Sequence, residues 1–149
     1  MNEALRELYQ ETIMGHNRSP RNFRAIDGAD ARASGHNPLC GDKLTVFLTI
    51  EDGRIDDVAF VGEGCAISKA SASMMTEALK GRGTEEARSM KDEFLHLVTR
   101  DREADEAVLG KLRVFAGVGE FPARVKCAAL PWRTLEAALG GRNEPVSTE

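Results

Sequence analysis

The sequence predicts a single domain in which an antiparallel β-hairpin is combined with several helices. Two features support this prediction. A chain of 149 residues has the size of one domain, which buries roughly 70% of its unfolded surface. The apolar pattern also changes from alternation to helical spacing after residue 65. We expect the domain to span residues 1–141 and residues 142–149 to form a flexible C-terminal tail.

Composition and charge argue against several classes of function. The content of 42% hydrophobic and 30% charged residues is that of an ordinary globular protein. A net charge of −4, without a long Lys/Arg run, argues against a nucleic-acid partner. The N-terminus lacks the features of a signal peptide, and no apolar run approaches ~18 residues. We therefore expect a cytoplasmic protein without a membrane span.

The N-terminal half is predicted to form one helix and the hairpin. A helix over residues 2–16 presents one amphipathic stripe, made of Leu5, Leu8, Tyr9, Thr12 and Ile13. A polar stretch follows, with a short strand at about residues 30–34. Residues 43–51 and 55–61 read as strands on either side of an Asp-Gly turn signal. The first of these strands places four apolar side chains on one face: Leu44, Val46, Leu48 and Ile50.

The C-terminal half is predicted to be helical. A helix over residues 66–80 ends at Gly81, and Thr84 is a good N-cap for a short helix to about residue 89. Further helices are expected at residues 91–99 and 108–115. The last helix, at residues 123–139, follows a proline and ends at a Gly-Gly pair. Pro131 is expected to kink this helix or to begin a new one.

Three cysteines and one aspartate form the candidate functional site. Cys40 and Asp42 precede the first hairpin strand and Cys65 follows the second, and the entrance and exit of an antiparallel pair are neighbours. Cys65 also stands near a helix N-terminus, where free N–H groups and the helix dipole favour a thiolate. Together with Cys127, these residues make a plausible four-ligand set for zinc.

Spacing alone leaves alternatives open. Paired Cys-x-x-Cys motifs are absent, an odd cysteine count does not suit a disulfide framework, and three unrelated buried thiols are the simplest alternative. Four anionic ligands around one Zn²⁺ would leave a formal charge of −2, which Arg124 and Lys126 could offset. His36 could approach the site. His16 and His96 are expected at surface or capping positions.

Several motifs resemble the IscU/NifU N-terminal family of iron–sulfur cluster assembly proteins. They are Asn-Pro-Leu-Cys-Gly-Asp at residues 37–42, Phe-Val-Gly-Glu-Gly-Cys-Ala-Ile-Ser at 60–68 and Arg-Val-Lys-Cys-Ala at 124–128. Residues 16–23 resemble the family's His-x-x-x-Pro-Arg-Asn stretch, and the similarity runs from about residue 5 to 140. Lys126 stands where the scaffold branch carries His, and residues 121–126 depart from that branch's Leu-Pro-Pro-Val-Lys segment. Within the family, the chain therefore resembles the SufU branch.

The resemblance implies an α+β fold with a small, mainly antiparallel three-stranded sheet and helices packed on it. It also implies a zinc ion bound by Cys40, Asp42, Cys65 and Cys127. SufU-type zinc-dependent sulfurtransferases accept persulfide sulfur from a pyridoxal-phosphate-dependent, SufS-like cysteine desulfurase and pass it to downstream iron–sulfur assembly proteins. In that family a histidine of the desulfurase takes over one zinc position and frees the cysteine that matches Cys40.

In this interpretation Cys40 is the catalytic sulfur acceptor, while Arg124 and Lys126 tune the charge or contact the partner. Two other functions stay open. One is a scaffold that assembles a [2Fe–2S] cluster on the same ligands, because thiolates bind iron clusters and zinc alike. The other is a purely structural zinc protein that serves as an interaction module.

Overall fold

A four-stranded sheet with helices packed against it forms the framework of the protein in a computed structural model, which describes residues 3–142 and 145–148. The strands are β1 (Ala31–Asn37), β2 (Asp42–Glu51), β3 (Arg54–Glu63) and β4 (Val146–Ser147). The helices are α1 (Glu3–Arg18), α2 (Ala66–Leu79), α3 (Thr84–Thr99), α4 (Glu106–Leu109) and α5 (Pro122–Leu139), and a 3₁₀ segment covers Gly110–Glu120. The α+β architecture is as expected, and α2 and α5 contact both the sheet and each other.

The predicted hairpin is confirmed. β2 and β3 pair antiparallel, with Leu48 opposite Val58. The two turn residues, Asp52 and Gly53, have φ values of 51° and 72°, as the tight turns that suit the twist of a hairpin require. The hairpin therefore brings the start of β2 and the end of β3 to the same end of the sheet.

The sheet is mixed and has four strands, so the expected three-stranded sheet is wrong in strand number. β1 is longer than the strand expected at residues 30–34 and pairs with β2 along its whole length. β4 lies parallel to β1 on the other side, with Gly35 opposite Val146. An open strand edge offers free N–H and C=O groups, so a short polar segment without a strand pattern can pair there.

The segment expected to be a flexible tail thus contains a short strand. The Thr148 N–H also donates to the His36 carbonyl at 3.3 Å. Residues 143, 144 and 149 of that segment lie outside the described residues, as do residues 1 and 2. The domain boundary at residue 141 stays a prediction.

The helix α1 agrees with the prediction and buries Ile13, while the side chains of Leu5 and Leu8 lie outside the described residues. The expected surface position of His16 is wrong, since this residue is only 7% exposed. Its Nδ1 lies 2.7 Å from the Ser73 hydroxyl of α2. Burial lowers the pKa of His16, so the neutral ring serves as a packed connection between α1 and α2.

The two short helices expected at residues 84–89 and 91–99 are one helix, α3, and its N-cap is Gly83 rather than Thr84. Buried side chains continue at helical spacing through the expected break: Ala87, Met90 and Phe94. Packing of this apolar face therefore stabilises the helix through residues 89–91, where a break was expected. Residues 108–115 fall in α4 and the 3₁₀ segment, whose glycines disfavour an α-helix.

The helix α5 runs as one helix through Pro131, so this proline does not begin a new helix. Because proline has no N–H, the main-chain carbonyl of Cys127, four residues earlier, lacks its usual helical donor. The next residue, Trp132, stacks on Phe94 with ring centroids 4.7 Å apart, and Phe94 meets Phe115 edge to face at 5.4 Å. All three rings are fully buried, which anchors α5 on α3.

Among the described residues, none of the helices combines the length and the apolar character that crossing a membrane requires.

Candidate metal centre

The structure brings the three cysteines and Asp42 to one end of the sheet. Cys40 lies in the turn between β1 and β2, and Asp42 is the first residue of β2. Cys65 follows β3 as the N-cap of α2, and Cys127 lies in the second turn of α5. Residues that are 87 positions apart, Cys40 and Cys127, therefore meet. The hairpin places Cys65 at the same end of the sheet as Cys40, where the main-chain N–H of Cys65 contacts Asp42.

Three of the four groups form a tight cluster. One ligand atom each from Cys40, Asp42 and Cys127 lies within 4.8 Å of the others, and the Cys40 and Cys127 sulfurs are 3.2 Å apart. Cys65 lies beside this cluster and not within it, and its sulfur is 3.9 Å from Asp42 Oδ2. Three sulfur donors and one oxygen donor suit a tetrahedral zinc ion by number and by chemistry.

The backbone of residues 64 and 65 packs closely against the Asp42 side chain. Its carboxylate is fully buried and Oδ1 accepts the Cys65 N–H at 2.8 Å. Gly64 has φ of +157°, and a Cβ at this position would collide with the Asp42 side chain. Only glycine lets the chain pass the carboxylate this closely, which gives the Gly-Glu-Gly segment before Cys65 a structural reason.

The sulfur of Cys65 faces the N-terminus of α2. Its Sγ accepts the Ser68 N–H at 3.4 Å, as expected for a thiolate or thiol in the N-cap position. The first N–H groups of a helix have no partners within the helix and carry partial positive charge. These N–H groups therefore hold the Cys65 sulfur at the start of the helix.

Cys127 is the buried member of the set, with no exposed surface. Burial, followed by the contacts with Cys40 and Asp42, raises the pKa of its thiol in the metal-free protein, so the thiol keeps its proton. The thiol contacts the Ala123 carbonyl at 3.6 Å. A cation bound there would displace the proton and hold the thiolate.

Arg124 is a positive charge in contact with the Cys127 sulfur. It lies three residues before Cys127, and side chains with this spacing share one helix face. The contact with the Cys127 sulfur and the charges of all three cysteines raise the pKa of Arg124. Arg124 therefore places a positive charge beside the sulfurs. Lys126 lies one residue before Cys127 and therefore points to another side of α5.

The histidines stay outside the cluster in the described structure. His36 and Asn37 are adjacent in β1, so their side chains lie on opposite faces of the strand. The His96 Nδ1 lies 2.6 Å from Asp101 Oδ1 just beyond the end of α3, in agreement with the expected capping or surface role.

The sequence reasoning missed Asn37. This residue ends β1, has no exposed surface, and its amide nitrogen lies 3.5 Å from both Asp42 Oδ2 and the Cys127 sulfur. The available signal was its place at the start of the Asn-Pro-Leu-Cys-Gly-Asp motif. A polar residue beside a proline, however, is first read as a turn former.

Comparison with known proteins finds relatives of one family along most of the chain. Residues 8–128 match the model of the NifU-like N-terminal domain. The chain is 40% identical over 138 residues to the zinc-dependent sulfurtransferase SufU of Bacillus subtilis (strain 168), with 93% of each chain covered. It is 37% identical over 135 residues to the iron–sulfur cluster assembly scaffold protein IscU of Streptococcus pyogenes serotype M1, with 91% of this chain and 84% of that one covered.

A solved structure agrees with these relatives. The crystal structure of FiSufU from the thermophile Fervidobacterium islandicum AW-1 matches with a TM-score of 0.85 at 38% identity. The match covers 89% of this chain and 97% of FiSufU. The likeness therefore extends over almost the whole fold.

Proposed function

Since the chain belongs to the family of NifU-like N-terminal domains, with IscU and SufU proteins among its relatives, we propose that it is a zinc-dependent sulfurtransferase of iron–sulfur cluster assembly. In this role it accepts sulfane sulfur from a pyridoxal-phosphate-dependent cysteine desulfurase and passes it to downstream assembly proteins. One observation carries the proposal: three cysteines and a buried carboxylate meet at one end of the sheet, and only one of the sulfurs lies in a turn.

In the proposed site Cys40, Asp42, Cys65 and Cys127 hold the zinc ion. When bound, zinc lowers the pKa of the thiols and keeps them as protected thiolates. The donor set fits this ion, because thiolates are preferred zinc ligands and a carboxylate completes the tetrahedral number. Arg124, on the same face of α5 as Cys127, offsets part of the excess negative charge.

We assign the acceptor role to Cys40 on the basis of its surroundings. It is half-buried in a turn, whereas Cys127 is buried in α5 and Cys65 is fixed at the start of α2. Among the described residues, no N–H donor lies against the Cys40 sulfur, whose close polar contact is Cys127. A thiolate without N–H donors is the stronger nucleophile, and a turn can move without opening the core.

The transfer step itself needs no external oxidant or reductant. The Cys40 thiolate attacks the terminal sulfur of the desulfurase's cysteine persulfide, so a new S–S bond forms on Cys40. The old S–S bond breaks, and its electron pair leaves with the desulfurase cysteine as a thiolate. The exposed side chain of Leu39, next to Cys40, and the charges of Arg124 and Lys126 are candidates for contact with the partner.

A second candidate function is a scaffold for a [2Fe–2S] cluster. The same three thiolates suit a cluster, and relatives named IscU support it. Lys126, in place of the histidine that the scaffold branch carries, makes it the weaker candidate. Anaerobic reconstitution with iron and sulfide separates the two, since a stable coloured cluster that competes with zinc would favour the scaffold.

Sulfur transfer from a cysteine desulfurase supplied with free cysteine tests the assigned acceptor. We expect the zinc-loaded protein to acquire one persulfide, detected by labelling and mass spectrometry, and the Cys40→Ala variant to acquire none. Ser71→Ala is a matched control, because it removes a buried hydroxyl that bonds the Ala128 carbonyl and leaves all thiols in place. Unchanged transfer to Cys40→Ala would exclude Cys40 as the acceptor.

A further inference from the structure

We propose that Asn37 is a positioning residue of the metal centre, whose buried amide donates its N–H groups to the Cys127 sulfur and to the Asp42 carboxylate. This inference rests on the proposed function, because it assigns a role in holding the metal ligands. Asn37 does not contact the sulfur that is transferred. It acts through two of the residues that surround the metal.

The contacts of Asn37 reach most of the site. In the sheet Asn37 lies directly opposite Asp42, and its Nδ2 is 3.5 Å from Asp42 Oδ2 and 3.5 Å from Cys127 Sγ. Its main-chain carbonyl accepts the Cys40 N–H at 3.3 Å. One residue at the end of β1 therefore connects the turn of Cys40, the strand of Asp42 and the helix of Cys127.

The chemistry of the neighbours fixes the orientation of the amide. A carboxylate oxygen and a thiolate sulfur only accept hydrogen bonds, so the NH₂ group must face them and the Oδ1 atom must face away. In this orientation Oδ1 is buried and has no protein partner among the described residues. A buried acceptor without a partner is costly, and it is the consequence of pointing both donors at the site.

The negative charge of the site explains why donors are needed there. The four proposed ligands are all anionic, and a zinc ion neutralises only two of these charges, so the site keeps a formal charge of −2. Cys65 receives an N–H from Ser68 and the dipole of α2, and Cys40 reaches solvent in its turn. Cys127 has no exposed surface, so protein groups must replace water around its sulfur. Asn37 supplies N–H donors without adding a charge.

If position 37 served only the fold, an apolar residue would suit it better than asparagine. An apolar side chain of similar size at this buried position would avoid the unpartnered Oδ1 atom and fill the same volume. If Asn37 served only the fold, such a replacement would leave metal binding unchanged. If Asn37 stabilises the ligands, the replacement should weaken the metal centre while the metal-free protein stays folded.

The experiment compares Asn37→Leu and Asn37→Ser with the wild-type full chain. Leucine keeps the volume and removes both donors, and the serine hydroxyl is too short to reach both acceptors. The control is Ser73→Ala, which removes the buried hydroxyl that contacts His16 and the Arg21 N–H, away from the cysteines. Three readouts are zinc affinity by chelator competition, the sulfur-to-metal charge-transfer absorption of cobalt-loaded protein, and thermal unfolding of the metal-free protein.

We expect both Asn37 variants to bind zinc about 10- to 100-fold more weakly, as is typical when a partner of a metal ligand is lost. The cobalt charge-transfer band should move to longer wavelength, because a thiolate with one donor fewer holds its electrons less tightly. Ser73→Ala should change the thermal unfolding and leave the zinc affinity and the cobalt spectrum as in the wild type.

The outcomes separate this inference from the proposed function. Folded Asn37 variants with wild-type zinc affinity and an unshifted cobalt band would overturn the role of Asn37. If Asn37→Leu does not fold, the serine variant decides alone by the same two measurements. If the wild-type protein binds neither zinc nor cobalt through sulfur, the proposed metal centre itself fails, whatever Asn37 does.

Discussion

The cysteine end of the sheet and the aromatic core of Phe94, Phe115 and Trp132 differ in the kind of side chain that they bury. At the cysteine end Asn37, Asp42 and Cys127 are buried completely, although each is polar or ionisable. In the aromatic core, Trp132 stacks on Phe94 and apolar side chains fill the surrounding space. The two regions share α5, so they are neighbours that differ in what holds them together.

The difference indicates that one region provides stability and the other provides the site. Burial of large apolar rings contributes stability by itself, whereas buried carboxylates and thiols contribute little without a partner of opposite charge. The aromatic core therefore holds the fold, and the groups of the cysteine end would be satisfied by the cation of the proposed site. Zinc should control the site more strongly than the fold.

The largest expected effect comes from the aromatic core. Trp132→Ala should lower the free energy of unfolding by about 3–5 kcal/mol, because it removes a fully buried ring and leaves a cavity. Urea denaturation of the metal-free protein measures this change. Phe121→Ala is the matched control, since this ring is 60% exposed and its loss should matter little. Equal effects of the two variants would contradict the division between the regions.

The buried thiol of Cys127 gives the next effect, which depends on pH. Its pKa is raised in the folded metal-free protein by burial, whereas the unfolded thiol ionises near pH 8.5. Above this pH the unfolded state loses the proton that the folded state keeps, so the folded protein loses at most about 1.4 kcal/mol per pH unit from this group.

Denaturation of the metal-free protein between pH 8 and 10 tests this dependence. The Cys127→Ser variant has no thiol at this position and should lose less stability than the wild type over this range. Parallel pH profiles for the two proteins would show that the burial of Cys127 does not hold its proton.

The smallest expected effect is that of metal removal on secondary structure. A small zinc finger owes its fold to roughly 10–16 kcal/mol of apparent zinc binding, whereas this chain has a separate apolar core. We expect a strong chelator to leave the helical circular dichroism nearly unchanged and to increase hydrogen exchange in the Cys40 turn. Global unfolding on chelation would instead favour a purely structural zinc protein.

The sequence was informative where a local pattern carries the information. The hairpin follows from alternation around an Asp-Gly turn, and the hairpin alone places Cys65 at the same end of the sheet as Cys40. The arrival of Cys127 at the same place depends on how α5 packs on the sheet, which no local pattern contains. Ligand chemistry offered Cys127 as a possible member of the set, and the family resemblance implied its membership in advance of the geometry.

The remaining differences arise from tertiary contacts. The strand β4 forms because β1 offers a free edge, and α3 is one helix because its apolar face continues across residue 90. His16 is buried because its ring contacts the Ser73 hydroxyl of another helix. The role of Asn37 was hidden for the same reason, since its neighbours Asp42 and Cys127 come from two other elements.

X-ray absorption at the zinc edge of the loaded protein tests most directly whether four distant residues surround one ion. We expect one zinc per chain, with three sulfur neighbours at about 2.3 Å and one oxygen neighbour at about 2.0–2.2 Å. The Asp42→Ala variant should keep the three sulfur neighbours and lose the protein oxygen. A wild-type spectrum with one sulfur neighbour or none would contradict the proposed centre.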